Sequence, residues 1–419
     1  MARYHIETYG CTSNRGESRQ IERALRDGGH HPVDEPAEAD VAILNTCTVV
    51  EKTEHNMLRR AAELDEQTPA DLVITGCMAL AQGDAFREAG IDAEILHWDE
   101  VPEHVRNGEC PTTTPDAEPI VDGVVGILPI ARGCMSDCSY CITKQATGRI
   151  DSPPVKENVR KARALVHAGA KELRITGQDT GVYGWDRNSG ESLLPELLER
   201  ICAEIDGDFR VRVGMANPKG IHGVREELAE VFAEQEKLYN FLHAPVQSGS
   251  SELLADMRRQ HDVSEYVDVV ETFDEALDYW TLSTDFIVGF PTETDRDHQQ
   301  SLALLRETRP EKINVTRFSK RPGTDAAAMK GLGGQIKKDR SSEMTELKMD
   351  VVGEAYESMV GTDREVLLVE DGTDDSLVGY DSAYRQVAVP GAEHHADLGE
   401  TVTCEITGQN TVYALGELV

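Results

Sequence analysis

The chain has 419 residues, 39% of them hydrophobic, and its 76 acidic residues against 42 basic ones give a formal net charge of −34. This length predicts about two to four domains, each large enough to bury a core. No apolar run is long enough to span a membrane and no basic and apolar leader begins the chain, so we expect a cytoplasmic protein without membrane association. The acidity could belong to an ordinary acidic enzyme, but its magnitude favours adaptation to a cytoplasm of concentrated salt, a halophilic origin.

The first part of the chain alternates short apolar runs with amphipathic stretches. This pattern predicts a small parallel sheet flanked by helices in an N-terminal domain over residues 1–110. The expected strands are 4–8, 41–45 and 72–75, and the expected helices are 17–27, 51–66 and 79–88. The Pro- and Thr-rich stretch 111–119 is typical of a linker.

A second β/α series occupies residues 124–355. Six units in this length predict an open, partial (β/α)6 barrel rather than a complete eight-fold one. The expected strands are 126–131, 172–176, 210–213, 239–243, 283–288 and 312–316, and the expected helices are 155–167, 193–204, 223–234, 265–279, 295–308 and 337–359.

The last residues, 358–419, change to short β runs separated by turns. They predict a five-stranded OB-like barrel with strands 364–369, 377–380, 386–389, 401–406 and 411–415. The predicted fold class is therefore α/β, with a small parallel-sheet domain, a partial barrel and a C-terminal β-barrel.

Three cysteines form a C-x3-C-x2-C pattern directly after the first barrel strand: Cys134, Cys138 and Cys141. Three thiolates on one loop can hold three irons of a 4Fe–4S cube and leave the fourth iron open to a small molecule such as S-adenosylmethionine. The alternative, a zinc site, usually needs four ligands, and no fourth cysteine is near in sequence. The pattern therefore favours a radical-generating cluster at the carboxyl end of a barrel strand.

A second trio is spread over the N-terminal domain. Cys11, Cys47 and Cys77 each follow one of the three expected strands. The carboxyl ends of parallel strands meet at one edge of a sheet, so this placement predicts that the three thiols converge and hold a second 4Fe–4S cluster. The alternative is three buried structural thiols. Cys110, Cys202 and Cys404 have no such partners and are expected to be ordinary packed or surface thiols.

Several short sequence motifs, together with these cysteines, are typical of a known family. They are Asn45-Thr-Cys-Thr-Val49, Thr176-Gly-Gln-Asp-Thr-Gly-Val-Tyr-Gly184, Val213-Gly-Met-Ala-Asn-Pro218, His243-Ala-Pro-Val-Gln-Ser-Gly-Ser250, Thr284-Asp-Phe-Ile-Val-Gly-Phe-Pro-Thr-Glu-Thr294 and Arg321-Pro-Gly-Thr324. Together with the two cysteine trios and the small β domain, they make the chain resemble the radical methylthiotransferases over nearly its whole length. Within that family it is most similar to the archaeal and eukaryotic branch.

The resemblance implies an activity. Members of this branch convert N6-threonylcarbamoyladenosine at position 37 of tRNA to its 2-methylthio derivative, using two 4Fe–4S clusters and S-adenosylmethionine as both radical source and methyl donor. It also implies a C-terminal TRAM domain and an electron donor such as ferredoxin or flavodoxin. Residues at strand ends would line the cofactor pocket: Gln178, Asp179, Gln247 and Ser248. Each of these could equally be a turn or helix-capping residue.

RNA binding requires local positive charge on an otherwise acidic surface. The candidate cations are Lys144, Arg149, Arg258, Arg259, Arg317, Lys320, Arg321, Lys337, Lys338 and Arg340. Two other functions remain open at this stage: methylthiolation of a ribosomal protein, and a non-catalytic iron–sulfur RNA-binding protein. The substrate tRNAs, the sulfur source and the oligomeric state do not follow from the sequence.

Overall fold

A computed structural model describes residues 1–48, 51–67, 71–105, 119–373 and 375–419. The N-terminal domain is a five-stranded parallel sheet in the order β2-β1-β3-β4-β5 with helices packed against it. Its elements are β1 Arg3–Thr8, α1 Thr12–Asp27, β2 His31–Pro32, β3 Val41–Thr46, α2 Glu51–Gln67, β4 Asp71–Thr75, α3 Gly76–Glu88, β5 Glu94–Ile95 and α4 Val101–Val105. Most of the linker predicted for 111–119, and Cys110, lie outside the described residues.

The three central strands explain why this domain forms. Every residue of β3 is buried, as expected for a strand covered on both faces of a parallel sheet. In register, Asn45 of β3 lies between Thr8 of β1 and Thr75 of β4, so the three strands end at the same level. The chain segments that follow them therefore share one edge of the sheet.

The central domain carries six parallel strands in two sheets, β6-β7-β8 and β9-β10-β11. A parallel bridge between Val211 and Leu238 joins the two sheets into one curved wall, with β6 and β11 at its ends. The strands are β6 Val125–Pro129, β7 Glu172–Thr176, β8 Arg210–Arg212, β9 Phe241–His243, β10 Thr281–Val288 and β11 Lys312–Arg317. The helices are α5 Thr143–Thr147, α6 Val155–His167, α7 Leu194–Glu204, α8 Pro218–Ile221, α9 Arg225–Glu234, α10 Ser251–Asp256, α11 Val263–Ala276, α12 Asp295–Thr308, α13 Asp325–Ala328 and α14 Gly334–Glu357.

The C-terminal domain is a closed barrel in the order β12-β13-β14-β16-β15. Its strands are β12 Asp363–Asp371, β13 Leu377–Tyr380, β14 Gln386–Val389, β15 Thr401–Gln409 and β16 Ala414–Leu418. The predicted fold class is confirmed, but the last strand begins later than the expected 411–415. Thr411 adopts a positive φ of 47° in the turn, and Ala414 and Gly416 are the residues that point into the barrel.

The C-terminal barrel is docked onto the central domain through its β13–β14 turn. Tyr384 stacks on Tyr380 at 4.1 Å between ring centroids and also packs against Tyr239 and Phe241 of the central domain. Arg385 forms an ion pair with Glu311 at 3.0 Å. Among the described residues, no helix has the length and apolarity needed to cross a membrane.

Candidate functional site

A cavity of about 600 Å³ lies between the N-terminal domain and the carboxyl ends of the central strands. Residues from both domains line it, because α1 packs against β6 and α3 packs against α5. Five of the six cysteines predicted to be cluster ligands are among its lining residues: Cys11, Cys77, Cys134, Cys138 and Cys141. The fold thus brings members of both trios to the wall of one cavity.

The loop after β6 carries the first trio in a tightly hydrogen-bonded backbone. The amide of Cys134 donates to the carbonyl of Gly148 at 3.2 Å, and the amide of Cys141 donates to the carbonyl of Cys138 at 3.2 Å. Gly133 has a φ of +84°, and a Cβ placed there would lie 2.1 Å from the carbonyl oxygen of Arg149. This close approach holds the two ends of the cysteine loop together and requires glycine.

Burial is the largest cause of the shifted pKa values of two of these thiols. It raises the pKa of Cys134 to about 11 and raises the pKa of Cys138 as well. At Cys138 the guanidinium of Arg259 opposes the effect, and its Nη1 lies 3.7 Å from Sγ. Near neutral pH Cys134 and Cys138 are therefore protonated, and a bound metal has to displace their protons.

The second trio is assembled by the shared edge of the N-terminal sheet. Cys11 is the residue before α1, Cys47 follows β3, and Cys77 lies in the first turn of α3 rather than in a loop. A Cβ built on Gly10, which precedes Cys11, would lie 3.0 Å from Cβ of Cys47. Burial raises the pKa of Cys77, and the neighbouring Glu17, Cys11 and Cys47 raise it further.

The two trios differ in how they meet the main cavity. Cys47 lines a neighbouring cleft together with Tyr9 and Gly10, while Cys11 and Cys77 line the cavity itself. Among the described residues, no three Cys, His, Asp or Glu side chains are gathered closely enough to bind a single metal ion.

The structure places three of the four residues predicted to contact the cofactor at the cavity and one away from it. Gln178, Asp179 and Gln247 line the cavity. Ser248 is buried away from it, where its hydroxyl accepts from the amide of Ser250 at 3.1 Å and lies 3.3 Å from Oγ of Ser301. The structure gives Ser248 the role of a turn residue and does not bring it to the cavity wall.

Gln178 and Asp179 are fixed in different ways. Oε1 of Gln178 accepts from the amide of Gly133 at 2.8 Å, and its Nε2 donates to Oγ of Ser13 in the N-terminal domain at 3.3 Å. Oδ1 of Asp179 accepts from the amides of Gly181 and Asn217, whereas Oδ2 is buried without a partner among the described residues. Burial raises the pKa of Asp179 to about 6. A buried carboxylate oxygen of this kind is suited to accept from a bound hydroxyl or ammonium group.

Two cations that the sequence offered as RNA contacts, Arg321 and Arg340, are buried instead. Arg321 is 3% exposed, and its Nη1 lies 2.6 Å from Oε1 of Glu54 in α2. Arg340 is ion-paired with Glu293 and Asp295, and Arg259 donates to the carbonyl of Pro245 beside Cys138. Arg321 and Arg340 are therefore held by carboxylates inside the protein and are not exposed to RNA, whereas Arg259 is partly exposed and lines the cavity.

Some residues of the cavity wall were not predicted to contact the cofactor, although most of them lie within the motifs quoted from the sequence. Arg212, Asn217, His243 and Asp285 also line it. Nε2 of His243 is 3.2 Å from Oδ2 of Asp285 on the next strand. Arg212, His243 and Asp285 lie in strands, where side chains alternate between the two faces, and Asn217 is the residue before α8. Nothing in the motifs distinguished these side chains from structural residues.

Three family models match the chain in succession. The first, described as Uncharacterized protein family UPF0004, matches residues 3–96; the Radical SAM superfamily matches residues 128–305; and the TRAM domain matches residues 357–419. Among solved structures, the chain is similar to the radical S-adenosylmethionine methyltransferase TsrM from Kitasatospora setae, with a TM-score of 0.59, 14% identity, and coverage of 78% of this chain and 76% of that one. The likeness at this identity concerns the fold.

Curated relatives cover the whole chain. A probable threonylcarbamoyladenosine tRNA methylthiotransferase of Archaeoglobus fulgidus is 38% identical over 99% of this chain and 98% of its own length. The corresponding protein of Pyrococcus abyssi is 34% identical over 100% of both chains. The threonylcarbamoyladenosine tRNA methylthiotransferase of Danio rerio is 31% identical over 97% of this chain and 76% of its own. The chain therefore belongs to the threonylcarbamoyladenosine tRNA methylthiotransferase family of radical S-adenosylmethionine iron–sulfur proteins.

Proposed function

We propose that this protein transfers a methylthio group to C2 of N6-threonylcarbamoyladenosine at position 37 of tRNA. The observation that carries the proposal is the cavity whose wall holds cysteines of both trios. Sulfur insertion at a carbon requires that hydrogen removal and sulfur delivery occur at one place. A cavity shared by two cysteine trios from two domains provides such a place.

Two 4Fe–4S clusters form part of the proposal. Cys134, Cys138 and Cys141 would hold the first, and Cys11, Cys47 and Cys77 would hold the second. When bound, the clusters and S-adenosylmethionine supply a radical strong enough for an unactivated C–H bond, together with the sulfur and the methyl group. Anaerobic reconstitution should give about eight irons per chain, and Cys77→Ala should lower this towards about four. Wild-type protein that takes up only about four irons would contradict the second cluster.

Residues of the chain would bind S-adenosylmethionine and hold the two cysteine trios in position. Gln178 connects the backbone of the first cysteine loop to Ser13 beside Cys11, so it keeps the two trios in register across the domain boundary. The unpaired Oδ2 of Asp179 would accept a hydrogen bond from S-adenosylmethionine.

Nucleoside analysis of tRNA tests the activity directly. Mass spectrometry of tRNA from a strain lacking the gene should show N6-threonylcarbamoyladenosine without its 2-methylthio derivative, and the intact gene should restore the derivative. Complementation with Cys138→Ala should fail. Unchanged 2-methylthio nucleoside in the deletion strain would overturn the proposal and direct attention to a ribosomal protein as substrate.

A second assay separates catalysis from mere RNA binding. Reduced wild-type protein mixed with S-adenosylmethionine should release 5′-deoxyadenosine, and Cys138→Ala should not. A non-catalytic iron–sulfur protein would release none in either case.

A further inference from the structure

A second concave surface lies at the end of the curved β wall. This groove, of about 830 Å³, is formed by the end of β11, the segment that follows it and the start of α14. Three cations line it, Arg317, Lys320 and Lys337, and no carboxylate is among its described lining residues. In a chain of net charge −34, a groove with cations and no acid is unusual.

Two cations of the groove differ from Lys144 and Arg258 of the cavity wall in having no carboxylate partner among the described residues. Arg317 and Lys320 are exposed, and within the described ranges no carboxylate oxygen comes within ion-pair distance of either side chain. By contrast, Lys144 is paired with Asp137 at 3.2 Å and Arg258 with Asp325 at 2.5 Å. The groove cations therefore remain available for an external anion.

Backbone groups add to this positive character. The 24-residue helix α14 starts at the groove, and no side chain caps its first turn. Gly333 and Gly334 are exposed, and a Cβ at either position would meet nothing within 4 Å, so no neighbouring group packs over the start of the helix there. The stem of Lys337 packs over Gly289, and its Nζ donates to the carbonyl of Phe318 at 3.3 Å, which fixes this ammonium beside the helix start.

A short piece of chain links the groove to the cavity. Lys320 lines the groove, and Gly323, three residues later, lines the cavity. At a maximum of about 3.6 Å per residue, the two sites are separated along this segment by at most about 11 Å. One polynucleotide can therefore occupy both.

We infer that this groove binds the phosphodiester backbone of the RNA next to the nucleotide that enters the cavity. The inference rests on the proposed function and specifies where the RNA is held. Phosphate contacts position a nucleic acid without reading its sequence, which matches a groove that offers charge and backbone amides but no exposed aromatic ring. Phe318, the aromatic residue of its wall, is buried against Phe290.

The salt dependence of tRNA binding tests the groove. The logarithm of the association constant falls as log salt rises, and each phosphate contact with single-stranded RNA adds about 0.7 to the steepness of this fall. Arg317→Ala/Lys320→Ala removes two such contacts, so its fall should be less steep than that of the wild type by about 1.4. The matched control is Lys156→Ala/Arg306→Ala, which removes the same charge at two exposed cations that line neither cavity nor groove. It should keep the wild-type slope. Thermal unfolding of both variants checks that they are folded.

The outcomes distinguish a failure of the groove from a failure of the proposed function. Equal slopes for the groove variant and the wild type, or an equal loss in the control pair, would overturn the groove while leaving methylthiolation of tRNA intact. A wild-type protein that neither binds nor methylthiolates tRNA would overturn the proposed function, and the groove with it.

Lysine footprinting of the unmodified protein gives an independent measurement if the variants fail to fold. With saturating tRNA, acylation of Lys320 by a water-soluble ester should fall several-fold, whereas acylation of Lys156 should not change. Equal reactivity of Lys320 with and without tRNA would contradict the inference.

Discussion

At Gly133, the carbonyl oxygen of Arg149 occupies the space where a side chain would begin. The residue has a φ of +84° and directly precedes Cys134. Both the backbone conformation and the close approach are needed to bring the ends of the cysteine loop together. The position of the first thiol therefore depends on a neighbour that has no chemistry of its own.

We expect Gly133→Ala to lose the cluster of this loop. The left-handed backbone alone costs an alanine about 1–2 kcal/mol, and the contact of 2.1 Å with Arg149 adds to it. The reconstituted variant should contain fewer irons and release little 5′-deoxyadenosine. The control is Gly90→Ala, which has a φ of +78° but open space around its Cβ. Full iron content in Gly133→Ala would show that the loop tolerates a shift.

His261 gives a prediction on pH. It is 4% exposed, and burial together with Arg259 lowers its pKa to about 3. The unfolded chain binds a proton at this residue below about pH 6.5 while the folded chain does not, so stability falls as the pH decreases from about 6.5 towards 3. His261 accounts for up to about 1.4 kcal/mol per pH unit of this loss.

His261→Leu should lose less stability on acidification than the wild type. The measurement is the free energy of unfolding from urea titrations at pH 7, 6 and 5. Comparison of the two pH slopes removes the contribution of carboxylates, which titrate in both proteins. Parallel slopes would mean that His261 is protonated in the folded protein.

At the scale of elements, a largely buried ion pair between Glu54 and Arg321 connects α2 of the N-terminal domain to the segment after β11. Glu54 lies beside Arg321 and also accepts from Oγ1 of Thr48 at 2.5 Å and from Nε2 of Gln82 at 2.6 Å. Gln82 has non-helical dihedral angles, φ −142° and ψ 35°, which kink α3 at this point. Thr48 follows Cys47, so the contact connects the second trio to the central domain.

Breaking this pair from one side should be costly. Removing one partner of a buried ion pair typically costs about 3–5 kcal/mol, because the other charge is left without compensation. Arg321→Met should therefore lower the unfolding midpoint more than Arg321→Met/Glu54→Gln, in which neither charge remains. Thermal unfolding of the two single variants and the double variant gives the coupling energy. Additive effects would show that the two side chains do not interact.

At the scale of the whole molecule, the net charge of −34 makes the surface strongly self-repelling at low salt. The Debye length falls from about 10 Å at 0.1 M salt to about 3 Å at 1 M, which screens most of the repulsion between exposed carboxylates. The halophilic origin suggested by the sequence stays a prediction, but its physical consequence can be measured.

The unfolding midpoint should rise between 0.1 M and 1 M KCl and level off above that range. NaCl at equal ionic strength should give the same rise, because screening depends on ionic strength and not on ion identity. A midpoint that is constant or falls with salt would contradict a stability limited by surface repulsion.

The sequence alone determined the elements and the chemistry-bearing residues. Spacing predicted most strands to within a few residues, because buried parallel strands such as β3 are short apolar runs with clear ends, and C-x3-C-x2-C is a strong local pattern. It placed Cys77 in a loop and the last strand three residues early, because helix starts and turns depend on backbone angles at Gly76 and Thr411. Only the tertiary structure decided which charges are exposed. Arg321 and Arg340 are indistinguishable in sequence from Arg317, and what separates them is whether a carboxylate from a distant element lies beside the guanidinium.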